Sequence, residues 1–161
     1  MSLLSALYRL RHPGATKIPK AYQRSLLGLI WHGIRKFICQ NIAPNCITNV
    51  MRVNLYRLCG FKIGKHVFIG MKCYMDDIDP KMTIIGNDVV ISYGVSFSCH
   101  GRRQIHHIIE IQDGAYLGMN CAVLAHQDLV IGKGAVVGAM ALVNKSVMPG
   151  KTVVGIPCHE I

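Results

Sequence analysis

The chain has 161 residues, 51% of them hydrophobic, enough for one domain with a buried core plus an appendage, and no run of eighteen uninterrupted apolar residues marks a membrane-spanning helix. The net charge of +10 is unevenly placed: residues 1 to 60 hold nine Lys or Arg and no Asp or Glu, whereas residues 61 to 161 hold nine basic and eight acidic groups. Seven cysteines, an odd number without a Cys-x-x-Cys pair, argue against a secreted disulfide framework or a zinc ribbon and read as small apolar core residues in a reducing compartment.

In chain order, the opening "MSLLSALYRLRHPG" is basic and apolar, but Arg9 and Arg11 break its apolar run and no small-residue cleavage site follows. It reads as an uncleaved segment. Next, "AYQRSLLGLIWHGIRKFICQNI" places Leu26, Leu27, Ile30, Ile34, Phe37 and Ile38 near helical spacing, with Arg24, Arg35 and Lys36 elsewhere on the wheel. Two readings of this stretch stay open. One is a helix packed on the end or side of the body; the other is a helix lying on an anionic bilayer, for which a basic amphipathic stretch with one Trp is the expected physics. Nucleic acid is not an expected partner, because no recognition motif or stacking set accompanies the charge.

From about residue 59 a different grammar takes over. Aliphatic residues followed by a small residue recur six apart: Ile63-Gly64 and Ile69-Gly70; Ile85-Gly86, Ile91-Ser92 and Phe97-Ser98; Ile111, Leu117-Gly118 and Val123; Ile131-Gly132, Val137-Gly138 and Val143. A helix spaces apolar residues three and four apart and a strand alternates them, so a beat of six fits neither template. It fits short strands joined by tight turns, each aliphatic side chain pointing to a shared interior and the glycine relieving the backbone at the corner. Three hexads make one coil, and stacked coils build a core that no single repeat has. The expected division is therefore 1–58, a basic amphipathic helical region, and 59–161, a β-helix.

The beat breaks twice, and breaks in a regular scaffold are where function is usually built. The first follows Phe97, where "FSCHGRRQIHHIIEI" leaves the rhythm at His100 and regains it at Ile111; the second is "LAHQDLVIG", two residues too long, near His126.

The phased hexads, the break "SCHGRRQIHHIIEIQDGAYLG" and the ending "VVGAMALVNKSVMPGKTVVGIPCHEI" resemble the hexapeptide-repeat acyltransferases. These are left-handed parallel β-helix enzymes that include the galactoside, maltose and xenobiotic acetyltransferases and many polysaccharide O-acetyltransferases. The resemblance covers roughly residues 61 to 161. It implies transfer of an acyl group, of which acetyl is the expected case, from acetyl-CoA to a hydroxyl of a sugar or glycan precursor, with no metal required. His100 matches the family's general base; an imidazole, with an ordinary pKa of about 6.5, is a suitable proton acceptor for an alcohol. The same resemblance implies pantetheine contacts at Met119 and Ala139 and nucleotide contacts at Asn144, Lys145 and His159, the last standing where relatives often have arginine. Asp77 in "CYMDDIDP" matches a carboxylate presented to the acceptor, although composition leaves Asp76 equally open, and Met71 stands where sugar acetyltransferases hold an asparagine. His106 and His107 have no family counterpart and read as spectators. The family's assembly is a homotrimer with the active site between subunits, here in the cytoplasm, with peripheral contact at an anionic membrane as an extension.

Two rivals are weighed. A non-catalytic prism serving as scaffold or membrane-docking module makes His100 dispensable. A γ-class carbonic anhydrase builds a three-histidine zinc site on the same scaffold, but here Ile131 occupies a ligand position, so His100 and His126 leave it a ligand short.

Overall fold

The computed structural model describes residues 3–14, 25–100 and 105–161. Arg24, on the polar side of the expected helix, lies outside the described residues. The chain forms two compact units, Met1–Phe37 and Ile38–Ile161. The first contains helices α1 (Leu3–Arg11) and α2 (Leu26–Phe37), and α2 buries none of its side chains.

The described residues of the second unit form a parallel β-helix of thirteen short strands. Its first face is β1 (Lys62–Ile63), β3 (Thr83–Ile85), β6 (Ile109–Ile111) and β9 (Leu129–Ile131). The second is β2 (Phe68–Ile69), β4 (Val90–Ile91), β7 (Tyr116–Leu117), β10 (Val136–Val137) and β12 (Thr152–Val154), closed by β13 (His159–Glu160) running antiparallel to β12. The third is β5 (Ser96–Ser98), β8 (Ala122–Leu124) and β11 (Leu142–Val143). Every other pairing within a face is parallel and keeps the repeat in step: Ile85 pairs with Ile111 and Ile111 with Ile131, Ile91 with Leu117 and Leu117 with Val137, Phe97 with Val123 and Val123 with Val143. All nine of these side chains are at most 2% exposed. They are the aliphatic positions of the hexad beat, so the rhythm of the sequence is the wall of the core.

The hexad glycines act differently from the sequence expectation. The left-handed backbone at the corners falls two residues later, at His66, Lys72, Asp88, Asn120, Gly134 and Met140, and at Gly94 and Gly114 two residues after Ser92 and Gln112, which stand in the same hexad position. The hexad glycine itself is required by close approach of the next coil: a Cβ on Gly118 would stand 2.5 Å from the Ala139 backbone nitrogen, and one on Gly70 would stand 2.5 Å from that of Tyr93.

An open solenoid end exposes unpaired strand edges and apolar stacks, and needs a cap. The cap is built from residues 38–58, which belong to the same compact unit as the strands. It comprises a π-helical turn Ile38–Ile42, a 3-10 turn Ala43–Asn45 and α3 (Asn49–Leu58), whose N-cap Thr48 accepts from Met51 N. Asn49 mimics a further strand, its side-chain amide donating to Val67 O and accepting from Ile69 N, both at 2.9 Å. Arg52, 2% exposed, donates Nε to Ile69 O at 2.5 Å and Nη1 to Cys46 O. Tyr56, fully buried, donates to Cys73 O, and burial pushes its phenol far above the ordinary value. All seven cysteines are free thiols, and every one except Cys46 is buried.

Candidate active site

Three edges join the faces, and they differ in chemistry. The edge between first and second faces is charged: Lys65 and His66, Asn87 and Asp88, Asp113, and Lys133 follow one another down it, laced by bonds such as Asn87 N to Asp113 Oδ1 at 2.6 Å. The edge between second and third faces is apolar and regular: Met71, Tyr93, Met119 and Ala139 stack through hydrogen bonds of Gly94 N to Met71 O, Asn120 N to Tyr93 O and Met140 N to Met119 O.

The third edge, where each coil passes from the third face back to the first, is the irregular one. The hexad beat demands six residues between inward positions. Here Met75 and Ile85 are ten apart, Phe97 and Ile111 fourteen, Val123 and Ile131 eight, and Val143 and Val147 four. Every departure from the rhythm therefore falls on a single edge, and successive excursions carry Asp76, His100, His126 and Lys145.

The two upper excursions meet in one contact. His100 Nδ1 lies 2.5 Å from Asp76 Oδ2, with the His100 side chain 26% exposed and that of Asp76 1% exposed. Asp76 Oδ2 also accepts from Cys99 N at 2.8 Å, and its Oδ1 accepts from Ile78 N at 3.2 Å. Three donors thus hold one buried carboxyl group, and a group so held orients whatever it touches. With Nδ1 donating to Asp76, the His100 ring leaves Nε2 as its acceptor. The strand register holds His100 from behind: Ser98 Oγ donates to His100 O, and His107 N donates to Cys99 O at 2.7 Å.

Cys99, next to His100, is not a nucleophile for that imidazole. Its thiol is turned inward, 3.2 Å from Thr83 Oγ1, and burial pushes it up to about 11, so it stays protonated. Tyr74, on the outer side of the third face, has its phenol raised first by burial and then by the Asp76 and Asp77 carboxylates.

The remaining sequence candidates fall as follows. Asp77, 4% exposed, accepts from Gln40 Nε2 at 3.1 Å, tying the π-helical turn to this edge. Asn144 and Lys145 lie on the third edge, Lys145 exposed; Met71, Met119 and Ala139 line the second edge; exposed His159 stands on β13. One chain therefore unites His100 with Asp76 and places the residues matched to CoA partly on its own edge and partly on another. His106 forms an antiparallel bridge with His100, ring centroids 6.4 Å apart, and His107 Nδ1 lies 3.9 Å from Asp128 Oδ1. Residues 101–104 of this break lie outside the described residues. Among the described residues no group of three or more His, Cys, Asp or Glu is arranged to hold a metal ion, and Ile131 is fully buried.

Asp76 is the residue that sequence reasoning missed as a partner of His100. Its signal was the count from Met75 to Ile85, four residues longer than a hexad, which marks a third excursion beside the two read from the sequence.

No family model matches the chain. The Bacillus subtilis protein YvoF, named as an acetyltransferase, is 30% identical over 94% of this chain and 88% of its own. Galactoside O-acetyltransferase of Escherichia coli is 27% identical over 63% of this chain and 56% of its own. Several curated relatives match over between 16% and 56% of their length, so the chain spans about half of them or less. Among solved structures, a hexapeptide-repeat acetyltransferase of Vibrio cholerae complexed with acetyl-coenzyme A superposes with TM-score 0.67 at 22% identity, over 85% of this chain and 88% of that one. That likeness speaks for the fold.

Proposed function

Since the chain belongs to the hexapeptide-repeat acetyltransferases, we propose that it transfers an acetyl group from acetyl-CoA to a hydroxyl of a sugar or glycan precursor. The observation that carries this reading is the His100–Asp76 contact at 2.5 Å, built on the one edge whose turns vary. An alcohol is too weak an acid to ionise near neutral pH, so His100 Nε2 takes the hydroxyl proton as the new C–O bond forms, contributing about 10²- to 10⁴-fold. The imidazolium then returns that proton to the departing sulfur. Asp76 is a positioning residue: it keeps Nδ1 as the donor and Nε2 as the acceptor through the cycle.

When bound, acetyl-CoA supplies the activated thioester. The residues that would hold it fit in kind: Met119 and Ala139 offer an exposed apolar edge to the pantetheine, and exposed Lys145 offers an ammonium to a phosphate, beside Asn144 and with His159 as the weaker nucleotide contact. Because a single chain carries these groups on two different edges, the assembly we propose is a homotrimer, in which the third edge of one copy faces the second edge of its neighbour. On the acceptor side the reading keeps Met71 and Asp77, whose carboxylate already accepts from Gln40. Its place is the cytoplasm, with peripheral contact at the anionic inner face of a membrane.

Free-thiol release from acetyl-CoA over a panel of sugars, nucleotide sugars and serine tests the proposal. His100→Ala lowers turnover by about 10²- to 10⁴-fold while acetyl-CoA affinity stays near the parent's. Lys145→Ala does the reverse, weakening acetyl-CoA by about 1 to 2 kcal/mol and sparing most turnover at saturation. A His100→Ala enzyme as active as the parent on a verified acceptor removes the mechanism and returns the prism to a scaffold.

A further inference from the structure

Helix α2 spans twelve residues, Leu26–Phe37, and carries a one-sided apolar face, with none of its side chains buried among the described residues. At 100° per residue, Leu26, Phe37, Ile30, Ile34 and Leu27 fall within an arc of about 100°, and they are 53%, 59%, 58%, 47% and 80% exposed. Trp31, 45% exposed, sits at one margin of that arc. The opposite side carries Ser25, His32, Arg35 and Lys36, with Arg35 Nη2 3.1 Å from His32 Nδ1; Leu29 is the one large apolar side chain found there. A helix of this length is marginal in water unless its apolar face finds a partner.

We propose that α2 lies in the plane of a bilayer rich in anionic phospholipid, with Leu26, Leu27, Ile30, Ile34 and Phe37 in the acyl boundary, Trp31 at headgroup level and Lys36 among the phosphates. Charge selects this occupant over a second copy of the chain. Residues 1 to 37, the unit that contains α2, carry seven Lys or Arg and no Asp or Glu, so pairing two such regions sets like charge against like, whereas an anionic surface attracts them. Length selects the orientation. Twelve residues reach about 18 Å, well short of a hydrocarbon core of about 30 Å, and no described helix is long and apolar enough to cross a membrane. A tryptophan at the margin of the apolar arc is placed where its amphipathic ring prefers to sit, at the interface. The inference is independent of the acyl-transfer reading, and its test measures no activity.

Trp31 is the sole tryptophan of the chain, which makes the native protein its own reporter. The full chain is titrated with vesicles of phosphatidylcholine containing phosphatidylglycerol, and with phosphatidylcholine alone, following co-sedimentation and Trp31 emission. The proposal expects retention on the anionic vesicles, a shift of emission to shorter wavelength, and loss of retention as salt rises. Ile30→Glu and Leu27→Glu, both at exposed positions, each lower the partition coefficient at least about tenfold, and Lys36→Gln lowers it about fivefold on anionic vesicles only. Unshifted Trp31 emission, or undiminished retention of either glutamate variant, overturns it. So does a glutamate variant that alters the sedimenting mass of the lipid-free protein, because the face is then an interface between copies.

Discussion

Two edges of the same prism, built from the same repeat, have opposite characters. On the second edge every turn has the same length, and the hexad glycines are pinned: a Cβ on Gly118 would meet backbone nitrogen at 2.5 Å, where no side chain can swing aside. On the third edge the spacing between inward positions ranges from four to fourteen residues, yet the flanking ladders stay in register, Phe97 with Val123 and Ile111 with Ile131. An excursion there adds chain outside the stack and costs the core nothing, while an addition at the second edge would push two coils apart. The Asp76–His100 contact lies on the edge where the scaffold tolerates variation.

The sharpest way to break this comparison is at the variable edge. Asp76→Asn keeps the shape but leaves one oxygen for three donors, Cys99 N, Ile78 N and His100 Nδ1. If the pair acts as proposed, turnover falls by roughly 10²-fold with the acetyl-CoA KM unchanged; a parallel loss in both would make Asp76 a merely structural residue. At the rigid edge, Gly118→Ala should cost stability and spare the third-edge geometry. Thermal or denaturant unfolding should report a loss of about 1 to 3 kcal/mol, or failure to accumulate folded protein; a melting curve like the parent's would show that the coils can part after all. The smallest effect has the opposite sign. Met140 holds φ at 58° with its side chain 66% exposed, and Met140→Gly relieves about 1 to 2 kcal/mol of left-handed strain against the greater entropy of the unfolded glycine chain. The net gain should be under about 1 kcal/mol, seen as a slightly higher Tm; a lower Tm would mean that the exposed Met140 side chain has a covering partner.

Much of this was legible in the sequence because it follows from local periodicity. Ile85, Ile91 and Phe97, six apart, had to face one interior, and the break after Phe97 had to leave the wall, so both the fold and the place of His100 outside the wall were readable without coordinates. The role of the hexad glycine was not. Sequence suggests relief of a strained corner, but the strain falls two residues later and the glycine answers to a coil some twenty positions away, as Gly118 answers to Ala139. The cap was hidden for a similar reason: nothing local in residues 38–58 states that Asn49 and Arg52 will bind Val67, Ile69 and Cys46 backbone.

The choice between two adjacent aspartates shows the division most clearly. Sequence alone determined that acidic residues stand in "CYMDDIDP" and a histidine in the next break, because residue type and rhythm are local properties. Only the tertiary structure decided that Asp76 meets His100 while Asp77 meets Gln40. Neighbouring residues point to different sides of the chain, and which side faces the coil below is set by the stacking of coils, a relation between segments twenty-four residues apart that no single hexad contains.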